Sequence, residues 1–384
     1  MSYLLIILLL TSSTTLCQST LSGHVTDAAT GEPVDFATVY FDGTTVGQIT
    51  DEEGHFSLSL EEIELPALLV VSHLSYQTYS RRVTEAADTL AIGLKLRVRQ
   101  LVGATVSDRN QRESNLEEFR RLLLGGDEWG RNARILNEDV LFFELAYAPT
   151  SLSVPNAEMR QVILMRDHPG GRWNRDSSEF TFDQTTAFAA QASAPLLIEL
   201  PDLGYRLQLD LTTFRTDYRS GSTGYFGYYY FRPLDGKGKK QWGKNRLRAY
   251  SGSTQEFLRH LGEGSLDSMG YVTYLRERDG LQSTVTPIDL SSNVKQSEGN
   301  RVEVIGLKDH DIAILHYTDS RGNPVPARRR KRYQPRQSSV LVTDHRCSFY
   351  SDGTIGEDCL LFGGEMGQRG LAWSLPADWA APGD

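Results

Sequence analysis

The sequence predicts a mainly β protein of the α+β class, with an N-terminal Greek-key β-sandwich followed by a larger α+β region. Three observations support this prediction. Short runs of alternating apolar and polar residues, separated by turn signals, fill the first hundred positions. One polar segment with an amphipathic run follows them. Beyond it, strand-like and helix-like patterns both recur over a length sufficient for more than one core.

Residues 1–18 carry no charge and contain a short apolar run from Leu4 to Leu10. This run is too short to span a bilayer, and small and polar residues follow it. The pattern is typical of a secretory signal peptide, so we expect the chain to be exported. Cleavage after Cys17 is one expectation. A lipid anchor on Cys17 is the alternative, and Leu16 directly before it is unfavourable for that modification.

The strand patterns of the sandwich follow in order. Residues 27–33 predict a turn, since Gly31 and Pro33 are turn formers. Residues 36–41 and 55–60 alternate and predict half-buried strands, whereas the continuous apolar run 68–72 predicts a strand buried on both sides. Asp42-Gly43 is a hairpin signal between them. Many short strands between turns indicate a Greek-key sandwich.

Residues 20–106 resemble the carboxypeptidase-regulatory-like domain, a transthyretin-like sandwich. The residues that carry the resemblance are Gly23, Val25, Asp27, Gly31, Pro33, Ala37, Val39, Thr50, Asp51, Gly54, Phe56 and the segment Ser75-Tyr76-Gln77-Thr78. Residues 101–106 resemble the strand that usually closes this domain. The resemblance implies a domain at 19–106 that is a non-catalytic appendage. Such domains occur beside metallocarboxypeptidase domains and ahead of TonB-dependent outer-membrane transporters.

Residues 107–126 predict a linker helix. Leu116, Phe119 and Leu123 share one helical face, Asn115 is a candidate N-cap, and Gly125 is a stop signal. Residues 127–384 then predict an α+β domain of one or two cores. It includes an aromatic strand over residues 221–231 and a helical run over 240–261 that Gly252-Ser253 interrupts. The region after the sandwich resembles the corresponding region of a group of uncharacterised exported bacterial proteins, so the resemblance implies no activity.

The net charge of −9 favours solubility and argues against general nucleic-acid binding. Beyond Cys17 the chain has two cysteines, Cys347 and Cys359. In an exported protein they form a candidate disulfide, and two buried free thiols are the alternative. We predict no cofactor, because phosphate-binding, dinucleotide-binding and paired-cysteine motifs do not occur in the sequence.

One pair of residues matches a catalytic spacing. His260 and Glu263 have the His-x-x-Glu spacing of the zinc ligands in metallocarboxypeptidases. A zinc site of that kind needs a further histidine, and His310, His316 and His345 lie downstream. Such a short match is close to what chance gives, so we predict no metal site and no catalytic residues. A zinc hydrolase remains the alternative.

Two surface features are candidates for binding. Arg328, Arg329, Arg330, Lys331 and Arg332 form the strongest charge run and could meet an anionic partner, although a solvated face is the commoner explanation. A second basic group spans residues 237–244. Residues 225–231 are almost entirely Tyr and Phe, which favours a partly buried strand over an exposed binding platform.

From these features we expect an exported, non-enzymatic interaction or structural module of a Gram-negative envelope, in the periplasm or at the outer membrane. Its partner would be an envelope protein, a glycan or a lipid surface. An accessory role beside a TonB-dependent transporter is a further alternative. We expect no nucleic-acid partner and no transmembrane segment.

Overall fold

The computed structural model describes residues 20–85, 89–97, 109–153, 164–165, 170–174, 176–236, 238–279, 282–297, 299–320, 322–355 and 359–381. The predicted signal peptide at 1–18 and the predicted closing strand at 101–106 lie outside these residues. In the described chain, no helix is long and apolar enough to cross a membrane.

The N-terminal part is a β-sandwich, as predicted. One sheet has the order β4-β1-β7 and the other the order β3-β2-β5-β6. The strands are β1 (Thr20–Asp27), β2 (Thr38–Phe41), β3 (Gly47–Ile49), β4 (His55–Ser59), β5 (Ala67–Ser72), β6 (Tyr79–Val83) and β7 (Leu90–Leu94). Strand β1 pairs with β4 in the antiparallel and with β7 in the parallel sense. Apolar side chains from both sheets, including Leu21, Val39 and Ile92, fill the core between them.

Strand β2 differs from its predicted alternation. All four of its residues are buried, although the pattern predicted one exposed face. The reason is that Val39 and Phe41 face the sandwich core, while Tyr40 on the opposite face is covered by Tyr230 from the rest of the chain. Strand β5 was predicted to be buried on both sides, and its residues 69–72 are buried.

The helix predicted as a linker belongs to the core of the second part. Helix α1 (Arg109–Leu124) begins ahead of Asn115, so Asn115 lies inside the helix and does not cap it. The chain leaves the helix at Gly125, whose φ is +108°. Phe119 and Leu123 are completely buried against the large sheet that follows. Packing of this kind, rather than the polar sequence, fixes the helix.

The large sheet is antiparallel. Its path is β10-β11-β13-β12-β8, with β14 paired to β13 and β9 paired to β11. The strands are β8 (Arg134–Ile135), β9 (Leu141–Ser153), β10 (Arg172–Asn174), β11 (Glu179–Ala192), β12 (Leu196–Leu200), β13 (Tyr205–Asp217) and β14 (Ser222–Pro233). Short helix α2 (Glu128–Asn132) and the 3-10 turns Glu138–Val140 and Leu371–Trp373 complete this unit. The first core of the second part lies here.

A second core follows along the chain. Helices α3 (Lys239–Tyr250) and α4 (Thr254–Gly262) are separated at residues 251–253, which confirms the predicted interruption. Ser253 caps α4 by accepting a hydrogen bond from the amide of Glu256. Phe257 and Leu261 of α4 pack into a core distinct from the first one. The α+β region therefore contains two cores.

Two sheets surround this second core. One has the order β16-β15-β19-β20-β22 and the other the order β17-β18-β21. The strands are β15 (Tyr271–Asp279), β16 (Gln282–Pro287), β17 (Val294–Gln296), β18 (Arg301–Val304), β19 (Asp311–His316), β20 (Arg336–Val342), β21 (Cys347–Tyr350) and β22 (Leu360–Gly363). Helix α5 (Gly364–Gln368) and the 3-10 turns Leu290–Asn293 and Ala327–Arg332 are the remaining elements. A disulfide joins Cys347 to Cys359, with 5.6 Å between their Cα atoms.

The sandwich is docked on the second part by backbone hydrogen bonds. The amide of Gly43 donates to the carbonyl of Tyr229 (2.7 Å), and the amide of Phe231 donates to the carbonyl of Thr44 (3.0 Å). The carboxylate of Asp378 accepts from the amide and hydroxyl of Thr45. These bonds attach the hairpin after β2 to strand β14 and to the C-terminal segment.

Candidate functional site

The two residues with zinc-ligand spacing bind each other. At the end of α4, Nδ1 of His260 lies 3.1 Å from a carboxylate oxygen of Glu263 and 2.9 Å from the hydroxyl of Ser265. Residues three apart on a helix face one another, which accounts for the spacing. Among the described residues, three potential metal ligands come together at Asp51, Glu53 and His55, all of them exposed. The cluster does not include His260 or Glu263.

The basic run forms an anchored 3-10 turn. Arg330 donates to the carboxylate of Asp267 (2.8 Å), to the carbonyl of Asp267 (2.6 Å) and to the carbonyl of Val325 (3.1 Å). Only 11% of its side chain is exposed. Arg328, Arg329, Lys331 and Arg332 are exposed. The five basic residues therefore divide into one that holds the turn and four that face solvent.

The aromatic strand β14 is largely a docking strand. The ring of Tyr230 stacks on Tyr40 with 5.2 Å between centroids, and its hydroxyl donates to the carbonyl of Gly47 (3.1 Å). The hydroxyl of Tyr228 bonds to that of Ser80 (3.2 Å). Phe226, nearer the start of the strand, is 51% exposed. The sequence suggested either a partly buried strand or an exposed binding platform. The structure shows a third arrangement, in which Tyr228 and Tyr230 contact the sandwich.

A buried carboxyl group lies at the centre of this contact. Asp210, on β13, accepts hydrogen bonds from the hydroxyls of Tyr40 (2.8 Å), Ser72 (2.5 Å) and Thr78 (3.2 Å). All three donors come from the sandwich. The side chain of Gln208 lies 3.4 Å from the same carboxyl group. Every donor has an acceptor, so the cluster has the character of a structural joint.

A second carboxyl group, that of a partly buried residue, lies in this joint. Asp42 accepts a hydrogen bond from the amide of Tyr229 (2.7 Å). Burial raises its pKa to about 7, since loss of solvation outweighs the amide donors of Tyr229 and Gly43, and the charges of Asp210 and Asp352 act in the same direction. The joint therefore contains a group that titrates near neutral pH.

The second core contains a polar cluster that the sequence did not reveal. Glu256, on α4, accepts hydrogen bonds from the hydroxyl of Tyr271 (2.5 Å) and the amide of Gly252 (2.6 Å). Burial raises the pKa of Glu256. The ring of His316 stacks on Tyr271 with 4.0 Å between centroids. The residues of this cluster come from α4, β15 and β19, so no local sequence motif contains them. The helix break at Gly252-Ser253 is the sequence feature that lies next to the cluster.

Two arginines complete this cluster. Arg336 and Arg369 each donate to the carbonyl of Ser251 at 2.9 Å. Glu365 lies 3.5 Å from Nε of Arg336 and 3.4 Å from Nη2 of Arg369. Burial, followed by the charge of Arg336, lowers the pKa of His316 to about 4, so this imidazole is neutral at physiological pH. The cluster thus places two arginines that share Glu365 beside a neutral histidine.

The comparisons with known proteins identify the first domain. Residues 21–106 match the model of the CarboxypepD_reg-like domain family. The sandwich is thus a domain of that family, as its strands and turns indicate. No curated protein matches the chain.

Solved structures that resemble the chain are distant. One is a protein of unknown function from Bacteroides fragilis NCTC 9343, with 13% identity and a TM-score of 0.17, covering 55% of this chain and 94% of that one. Another is a 9R-lipoxygenase from Cyanothece PCC8801, with 10% identity and a TM-score of 0.16, covering 90% of this chain and 42% of that one. At these scores neither likeness supports an argument about fold or function.

Proposed function

We propose that the protein is an exported, non-enzymatic module of the cell envelope, in the periplasm or at the outer membrane, that binds an anionic surface through the turn Ala327–Arg332. The signal-peptide pattern of residues 1–18 supports export. The CarboxypepD_reg-like domain, which the family resemblance presents as an appendage, supports a non-catalytic role. The anchored basic turn is the observation that supports the binding surface.

Arg330 fixes the backbone of this turn. Its three hydrogen bonds to residues 267 and 325 hold the turn against the loop before β15. The four remaining basic residues are therefore presented from a fixed backbone, which lowers the entropy lost on binding. In a chain with a net charge of −9, such a group gives one face a local positive potential. Each basic residue near an anionic lipid surface contributes roughly 1 kcal/mol.

The zinc-hydrolase alternative has less support. In the described chain, Glu263 is bonded to Nδ1 of His260, which leaves Nε2 of His260 as an unpartnered nitrogen, and the three-ligand cluster lies elsewhere. Metal analysis of the purified protein tests this point directly. About one zinc per chain, lost on His260→Ala, would replace our proposal by the hydrolase.

Vesicle co-sedimentation tests the proposed surface. We compare vesicles of neutral phosphatidylcholine with vesicles that also contain phosphatidylglycerol. The variant Arg328→Glu/Arg329→Glu/Lys331→Glu should bind the anionic vesicles at least about tenfold more weakly than the wild type. The matched control reverses three exposed lysines of the other basic group: Lys239→Glu/Lys240→Glu/Lys244→Glu.

The outcomes are distinct. Binding by the wild type that falls with salt, is lost in the turn variant and is kept in the control supports the proposal. An equal loss in both variants would show that only net charge matters. No binding by the wild type would reject an anionic lipid surface as the partner.

A further inference from the structure

Two histidines lie side by side on the outer face of the sandwich. Strands β1 and β4 are paired so that His24 lies directly opposite His55, and their ring centroids are 5.0 Å apart. Their neighbours Val25 and Phe56 are buried in the core, and because side chains alternate along a strand both imidazoles point away from it. This face belongs to the sheet β4-β1-β7, whereas the other sheet carries Tyr40 and contacts the second part.

Two carboxylates lie next to this histidine pair. They belong to Asp51 and Glu53, in the turn that leads into β4, and ligand atoms of these two residues and of His55 lie within 4.8 Å of one another. The ring of His24 lies beside the same turn, since a Cβ on Gly54 would be 3.3 Å from its Nε2. We call His24, Asp51, Glu53 and His55 the two-histidine cluster. Three of its four residues are exposed, so an ion could reach it from solvent.

The separations in the two-histidine cluster are close to those that a metal ion requires. Two ligand atoms of a tetrahedral zinc ion are about 3.3 Å apart, since each bond is about 2.0–2.1 Å long. Nδ1 of His55 is 3.7 Å from Oδ1 of Asp51, which is only slightly more. The wider separations, up to 4.8 Å, would close by rotation of exposed side chains, which leaves the core of the sandwich unchanged.

The backbone already orients one of these ligands. Oδ1 of Asp51 accepts hydrogen bonds from the amides of His55 (2.7 Å) and Glu53 (3.2 Å). Metal-binding carboxylates are commonly held by a second set of hydrogen bonds in this way. The strand pairing fixes the backbone of both histidines. The four side chains are therefore presented from a defined turn and two paired strands, which limits the entropy lost when they converge on an ion.

The kind of donor indicates which ion fits. Imidazole nitrogen is a preferred ligand of zinc, and carboxylate oxygen completes many zinc sites. Calcium takes about six to eight oxygen ligands and has no use for the two imidazoles. Two carboxylates also balance the charge of a divalent cation. The two-histidine cluster thus favours zinc over calcium.

We propose that the two-histidine cluster binds one zinc ion, through a ring nitrogen of each histidine and a carboxylate oxygen of Asp51 and of Glu53. This site goes beyond the proposed function, because it lies on the first domain and shares no residue with the basic turn. It also differs from the zinc-hydrolase alternative, which uses the His-x-x-Glu pair at the end of α4. The ion lies on the side of the sandwich that points away from the second part.

Calorimetric titration of the metal-free, untagged protein tests the proposal. The wild type should bind one zinc per chain, and calcium should bind at least about tenfold more weakly. His55→Gln and His24→Gln should each weaken zinc binding by at least about tenfold, since loss of an outer-shell partner alone costs about 10–100-fold. His345→Gln removes an exposed histidine that follows Asp344, and as the matched control it should bind zinc as the wild type does.

NMR of the imidazole groups gives an independent measurement. Zinc should shift the resonances of His24 and His55 and leave those of His345 unchanged. Both glutamine variants should retain the circular dichroism spectrum of the wild type, because the replaced side chains lie outside the core. A loss of zinc binding in these variants then reports the loss of a ligand and not of the fold.

The outcomes separate this site from the other two. Zinc binding that is lost in His24→Gln and His55→Gln and kept in His260→Ala supports the two-histidine cluster. No zinc binding by the wild type, full binding by His24→Gln, or an equal loss in His345→Gln would overturn it. If the wild type binds zinc through the cluster and does not bind anionic vesicles, the proposed function fails and the zinc site stands. Vesicle binding without zinc binding would reject the zinc site alone.

Discussion

Two buried carboxyl groups of this protein share one kind of hydrogen bond, from a tyrosine hydroxyl, and differ in the residues around them. Asp210 and Glu256 each accept a tyrosine hydroxyl, from Tyr40 at 2.8 Å and from Tyr271 at 2.5 Å. The three hydroxyl donors to Asp210 come from the sandwich, and each of them has the carboxyl group as its acceptor. Glu256 receives its bonds from its own unit, and His316 beside it keeps an acceptor unpaired.

The difference separates a structural joint from a candidate site. A fully paired cluster holds two parts together, and any added ligand would have to break an existing bond. An incompletely paired cluster carries a cost in the free form, of about 1–3 kcal/mol for each buried group. A ligand that pairs the group recovers this free energy. The number of unpaired atoms, and not the number of charged ones, therefore distinguishes the two clusters.

The largest expected effect is at the joint. Asp210→Ala leaves the buried hydroxyls of Tyr40 and Ser72 without their acceptor, so the free energy of unfolding should fall by about 3 kcal/mol. Chemical denaturation measures the change. Asp183→Ala, at an exposed position of β11, is the matched control and should change stability by less than about 0.5 kcal/mol. A loss below about 1 kcal/mol at Asp210 would show that the sandwich is held mainly by its other contacts.

The next effect depends on pH. The pKa of Asp42 is raised to about 7 in the folded protein, so its contribution to stability is full at low pH and is lost as the pH rises through 7. Asp42→Asn cannot ionise, and its side-chain oxygen can still accept from Tyr229. Relative to the wild type, this variant should gain stability between about pH 5 and pH 8, by something on the order of 2 kcal/mol. A constant difference across this range would contradict the assignment.

His316 should show the opposite dependence. Its pKa is lowered to about 4 in the folded protein, so its contribution is present above the ordinary value of 6.5 and is lost as the pH falls below it. Asp42 and His316 thus respond to acid in opposite directions.

A smaller effect compares the two tyrosines. Tyr271→Phe removes one of the two donors that Glu256 has among the described residues, and it leaves the amide of Gly252. Tyr40→Phe removes one of several donors to Asp210. We expect Tyr271→Phe to lower the free energy of unfolding by about 1 kcal/mol more than Tyr40→Phe does. Thermal and denaturant unfolding of both variants provide the test. A larger loss of stability for Tyr40→Phe than for Tyr271→Phe would mean that the Asp210 cluster is the more sensitive of the two to the loss of a donor.

The sequence predicted what depends on local pattern. Turn glycines and alternating residues marked the sandwich, and the break at Gly252-Ser253 marked the end of one helix and the start of the next. Strand β2 shows the limit, because Tyr40 is buried by Tyr230, which is remote in the chain. Alternation predicts an exposed face only where no second layer covers it.

The candidate site was beyond sequence reasoning for the same reason. Glu256, Tyr271 and His316 come from separate elements and have no fixed spacing. His260 and Glu263 have a recognisable spacing, yet they bind each other at the end of a helix. A spacing is informative about chemistry only when the fold leaves the side chains free to meet a ligand.

The smallest expected effect is at Ser251, and its comparison with Ser72 separates the two clusters. Ser72→Ala removes a hydroxyl that donates to Asp210 at 2.5 Å and should lower the free energy of unfolding by about 1–2 kcal/mol. Ser251→Ala removes a buried hydroxyl without a partner in the described chain, and it should change stability by less than about 0.5 kcal/mol. A large loss of stability for Ser251→Ala would mean that its hydroxyl is already paired, and the distinction between the two clusters would fail at that residue.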